Sequence, residues 1–188
     1  MSINRDQSSR RQFLTGALAA GSCAGALAPV GIAAVSGEKT MTVMKNEDFY
    51  KDGKFLADKA KAAYFHMMRR FSYPISPRLE KELWVVDFSL GDFAHVGMAG
   101  IFWYNDKATN VFGHEIFLLP GQMIVEHGHE STVDAQAKRE AWHVRNGWIC
   151  TFGEGAAPQG TCPVELPRSQ TKFITVHNWK QVKEGEVD

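Results

Sequence analysis

A chain of 188 residues suits one domain with room for a substantial core. Its 21 basic and 21 acidic side chains cancel, and no Arg/Lys stripe carries interleaved aromatics, so a nucleic-acid partner is not expected. Five Trp and 12 Phe favour a packed, pocket-bearing globule over disorder.

Residues 1–35 read as an export signal. Ser9-Arg10-Arg11-Gln12-Phe13-Leu14 precedes a weakly apolar Ala/Gly-rich run, as in twin-arginine (Tat-type) signals. Cleavage after Ala33 or Ala34 fits the small residues there. An uncleaved anchor is the alternative, although Pro29 and several Gly interrupt the run. Ala20-Gly21-Ser22-Cys23 also loosely resembles a lipoprotein site, but the apolar run continues past it. Each version places the working protein outside the cytoplasm, in the periplasm, and the cleaved-signal reading leaves no stable membrane partner beyond export. An oxidising compartment permits a disulfide between Cys150 and Cys162; two free buried thiols is the other reading.

The domain expected over 41–188 starts with a helical appendage at 44–71. Asn46 can cap it, and Phe49, Phe55, Leu56, Ala60, Ala63, Tyr64, Met67 and Met68 repeat at near-helical spacing. Pro74 and Pro77 end it. From Leu83 onward the texture turns to short apolar runs divided by Gly, Pro, Asn and Asp. Strands are expected at 83–88, 95–104, 115–119, 122–129, 138–144, 147–152 and 173–177, with turns at Pro120-Gly121 and Asn146-Gly147. Many short strands after one helical segment give a mainly β fold, a sandwich or barrel. The runs 130–137 and 153–167 read as surface loops of the kind that rim sites.

The chemistry lies in His127-Gly128-His129 and Lys138-Arg139-Glu140. On strands of period two, His127 and His129 share a face, and so do Lys138 and Glu140. If the two strands are neighbours, two imidazoles, a carboxylate and an amine converge. Such mixed ligation suits Zn, Mn, Fe or Ni better than Ca or Mg. Trp142 shares the face of Glu140 and either lines the pocket or packs in the core. Glu126 faces the other way. Trp148 and Trp179 read as packing residues on the barrel exterior or appendage.

The frame Gly121, five residues, His127-x-His129, ten residues, Glu140, six residues, Gly147 resembles the first cupin motif, with a longer gap before the Glu. Lys138-Arg139-Glu140 and the run from Gly113 to Gln122 narrow the resemblance to the D-lyxose isomerase family, over about residues 41–188. The resemblance implies a cupin-type β-barrel (jelly roll) holding a divalent metal, Mn first and Zn or Fe next. By position His127, His129 and Glu140 would be ligands, and Lys138 an acid/base or substrate-orienting residue. The implied reaction interconverts an aldose and a ketose, such as lyxose and xylulose, through a metal-stabilised enediolate. A Lys beside a cation has a depressed pKa, which suits proton transfer. Cupins commonly pair, so a homodimer is expected.

One departure from the family stands out. No second Gly-x5-Pro-x-Gly-x2-His pattern follows to supply a fourth ligand, and the chain stops at Glu184-Gly185-Glu186-Val187-Asp188, so its last strands read as missing. A three-ligand protein, or a site completed by a second subunit, are the alternatives. Of the remaining histidines, His177 on a late strand is the best substitute ligand. His114 reads as a loop hydrogen-bonding residue, His143 as facing outward, and His95 and His66 as structural or surface residues. Two other functions stay open: a metal-dependent cupin dioxygenase, and a non-catalytic sugar-binding or inactive truncated cupin.

Overall fold

The computed structural model describes residues 44–188 apart from 107, 110, 134–136, 138 and 139. The twin-arginine segment lies outside the described residues. Among the described residues, no helix is long and apolar enough to cross a membrane.

The fold is mainly β. Two short strands, β1 (Tyr50–Lys51) and β2 (Lys54–Phe55), form a hairpin. Helices α1 (Ala57–Arg70) and α2 (Pro77–Glu82) follow. Strands β3 (Trp84–Val86), β4 (Met98–Asp106) and β5 (Val111–Phe117) make an antiparallel sheet in that order, and β6 (Trp148–Gly153) pairs antiparallel with β7 (Asn178–Lys183).

The helix expected over 44–71 is thus broken at its start. Asp52 and Gly53 sit at φ 50° and 73°, with Lys51 opposite Lys54. Positive φ at both central residues is the demand of a type I′ hairpin turn, which Asp-Gly meets. Helix α1 begins only after this hairpin. It buries Ala60, Ala63, Tyr64 and Met68, its i, i+3, i+4 stripe. Pro77 begins α2 rather than only ending a helix: it occupies the first turn, and the Ser76 hydroxyl accepts from the Leu79 amide at 3.1 Å.

One face of the three-stranded sheet covers this helical layer. Ala99 and Ile101 are fully buried there, in one cluster with Phe49, Tyr64, Phe93 and Leu79. The opposite face carries Trp84, Gly100, Phe102 and His114, since Trp84 pairs with Gly100 and Phe102 with His114.

The turn Leu119–Gln122 launches the chain toward the histidine pair. Pro120 and Gly121 are its central residues, Gly121 has φ 83°, and the Gln122 amide donates to Leu119 O at 2.9 Å. This is the type II arrangement that Pro-Gly favours. Gln122 is buried and makes three hydrogen bonds. Its Oε1 accepts from the Tyr64 hydroxyl (2.5 Å) and the Leu119 amide (2.9 Å), and its Nε2 donates to Phe93 O (2.5 Å).

Three of the expected strands are not regular strands. Segment 122–129 makes one parallel bridge, Val96 to Met123, and then leaves the sheet. Segment 173–177 is held by a side chain: the Glu126 carboxylate accepts from the Thr175 amide (2.7 Å), the Thr175 hydroxyl and the Val176 amide (3.4 Å). Segment 142–144 pairs with the last residues. Trp142 and Asp188 exchange backbone hydrogen bonds of 3.0 and 2.9 Å, and Val144 bonds to Glu186 and Gly185. Glu184–Asp188, where a further strand was expected to begin, therefore serves as partner to 142–144. Among the described residues, the strands form separate two-, three- and two-stranded sheets.

Candidate metal centre

The structure brings His127, His129 and Glu140 together. One donor atom from each lies within 4.8 Å of the others. His129 Nε2 is 3.1 Å from Glu140 Oε2, and the two imidazoles meet edge-to-face with centroids 5.0 Å apart. Strand parity is not what aligns the histidines, because residues 124–132 belong to no strand. Between the two parts of the triad, the Ala137 amide donates to Ser131 Oγ at 3.0 Å.

The donor set can bind a metal. His127 Nδ1 is 2.8 Å from the Val125 carbonyl, so it carries the proton there and leaves Nε2 as the ligand atom. A backbone carbonyl on the far nitrogen is the usual partner of a ligating histidine. With bonds of about 2.1 Å, the 3.1 Å between His129 and Glu140 subtends an angle of about 95° at an ion. Ligands at that bond length are about 3.0–3.4 Å apart in octahedral or tetrahedral sites. Donors spread over as much as 4.8 Å must close by about 1.4 Å or more to reach that range.

Lys138 and Arg139, the candidate acid/base residue and its neighbour, lie outside the described residues. Among the described residues, the other histidines stand apart from the donor group. His114 is within β5 and not in a loop; its ring packs on Phe102, Phe112 and Trp142. His143 is exposed opposite Val187, as expected from its parity. His95 Nδ1 lies 2.7 Å from Asp92, and His66 is exposed on α1. His177 does not join the cluster.

Two residues passed over in the sequence position this site. Glu126 clamps the 173–177 segment beside His127; the Thr175 hydroxyl first, then the Thr175 amide, hold its carboxyl below the ordinary glutamate value. Ser131 closes the loop. A Ser in a polar connection is a recognisable loop-closing signal, but its partner six residues on is not specified by sequence. Cys150 and Cys162 are both free and half-buried, and burial, then the neighbouring Cys162 thiol, push the Cys150 thiol up.

No protein-family model matches this chain. It is, however, similar to a D-lyxose/D-mannose isomerase of Thermosediminibacter oceani, at 24% identity over 122 residues. The match spans 65% of this chain and 66% of that protein's length. It is a distant likeness, and the chain spans just under two thirds of that isomerase.

Proposed function

We propose that this chain is an exported, metal-dependent sugar isomerase of cupin type, interconverting an aldose and a ketose. The observation that carries the reading is the convergence of His127, His129 and Glu140 in a chain similar to a D-lyxose/D-mannose isomerase. These three residues hold the ion, with Mn the first expectation and Zn or Fe next. A bound divalent ion would supply Lewis-acid polarisation of the sugar carbonyl and adjacent hydroxyl, lowering the cost of an enediolate.

The chain's own residues do the rest. Val125 O and Glu126 fix the histidine segment, so the His127 ring is oriented before substrate arrives. Glu140, with a side chain only 16% exposed, is the most enclosed of the three donors. Lys138, two residues before Glu140, moves the proton between the two sugar carbons. The cupin barrel, the homodimer and the twin-arginine route to the periplasm belong to the same proposal; the last rests on Arg10 and Arg11 with the apolar run behind them.

The test is turnover of D-lyxose or D-mannose by Mn-loaded protein, followed as ketose formed. The expected result is isomerisation that stops on chelation and in His127→Ala. No turnover of any pentose or hexose by protein shown to hold metal would refute the reading. Sugar binding without turnover, unchanged by chelation, would favour a non-catalytic sugar-binding protein.

A further inference from the structure

Burial across residues 140–144 alternates with a period of two. Glu140, Trp142 and Val144 are at least half-buried, whereas Ala141 and His143 are exposed. Alternation of this kind is the signature of extended chain with one face turned inward. Backbone bonds from Trp142 to Asp188 and from Val144 to Glu186 hold it so. Trp142 therefore shares a face with the metal-ligating carboxylate, two residues or roughly 6.6 Å along.

The indole is braced from behind. Its ring stacks on His114 at 6.3 Å and 27°, and His114 packs on Phe102 at 5.3 Å. Phe102 in turn meets Trp84 at 5.9 Å. These rings tile the face of the β3–β4–β5 sheet opposite the helices, and Gly100 makes room for Trp84: a Cβ there would lie 2.3 Å from the indole. An aromatic surface ending beside a polar donor cluster is how sites for small polar ligands are built. The polar groups fix orientation and the ring takes the apolar side.

We propose that Trp142 is a substrate-binding residue whose indole stacks on the C–H face of the sugar held at His127, His129 and Glu140. This rests on the isomerase reading for the identity of the ligand. A pentose is about as long as the two-residue step between Glu140 and Trp142, so one molecule reaches both. A ring that stacks on the sugar contributes through binding, so it should act on KM rather than on kcat.

The experiment compares wild type, Trp142→Phe and Trp142→Ala as Mn-loaded full chains. Metal content, KM and kcat are measured with D-lyxose and D-mannose, and Kd by calorimetry. Trp142→Ala should raise KM and Kd about tenfold with kcat within twofold, and Trp142→Phe should restore most of the loss; metal content should be equal in all three. Unchanged KM and Kd in Trp142→Ala would overturn the proposal. Metal lost in parallel with sugar would overturn it too, assigning Trp142 to the fold. If wild type binds sugar without turnover, catalysis fails while the Kd ratio still decides the role of Trp142. If metal-loaded wild type binds neither sugar, the isomerase reading and the stacking role both fall.

Discussion

Replacing Gln122 with Leu removes the hub that joins helix α1, the 93–97 segment and the turn before the histidine pair. The side chain is 8% exposed and satisfies three partners: the Tyr64 hydroxyl, the Leu119 amide and the Phe93 carbonyl. Leu has similar volume, so little cavity is created, but all three polar groups lose their partner. A buried group left unsatisfied costs about 1–3 kcal/mol. Tyr64 is fully buried and bears the full penalty. Leu119 and Phe93 are buried as well, at 5% and 0% exposed, so each of their polar groups counts at about the low end of that range or more. The sum is about 3–4 kcal/mol, or a fall in Tm of roughly 10 °C for a domain of this size. Tyr64→Phe removes one donor and leaves Gln122 bonded to Leu119 and Phe93, so it should cost only about 1 kcal/mol. Combining the two should cost less than their sum, because the orphaned hydroxyl is gone. Urea titrations of the four proteins measure this directly. A loss below about 1 kcal/mol for Gln122→Leu, or strict additivity in the double variant, would refute the hub.

Gly100→Ala should be among the most disruptive small changes. Its Cβ would meet the Trp84 ring at 2.3 and 2.6 Å and Glu115 O at 2.9 Å, so about 2–3 kcal/mol of overpacking is expected by denaturant titration. Asp92 governs an acid-sensitive clasp. Desolvation raises its pKa, but bonds from Ser169, His95 and Asn46 outweigh this and hold it below the ordinary value. With the folded value depressed, its contribution is present above the unfolded value of about 3.9 and is lost as pH falls through the folded one. Tm of wild type should therefore drop more steeply than that of Asp92→Asn below about pH 4, and equal slopes would count against the clasp. Glu126→Ala frees the donors of Thr175 and Val176, so hydrogen exchange at those two amides should accelerate while that of β4 stays slow.

The sequence conveys some features because the local chemistry leaves few choices. Pro120-Gly121 compels its turn, and the stripe from Ala60 to Met68 compels α1. Asp52-Gly53 was equally informative, but Phe49 and Phe55 mimic helical spacing and mask the hairpin signal. Ser76-Pro77 reads as a terminator when the cap is not sought. The donor triad was legible by composition, but residues 124–132 belong to no strand, so strand parity is not what aligns its histidines. Segment 173–177 is rich in β-forming residues, but Glu126 satisfies its amides and the regular strand starts only at Asn178. Such long-range side-chain capture leaves no period in the sequence.

Elemental analysis of the purified protein beside a His127→Ala/Glu140→Ala variant tests most directly whether His127, His129 and Glu140 build a metal site. The expected result is about one Mn, Fe or Zn ion per chain, lost in a variant that remains folded. No metal in either protein, or equal metal in both, would contradict it.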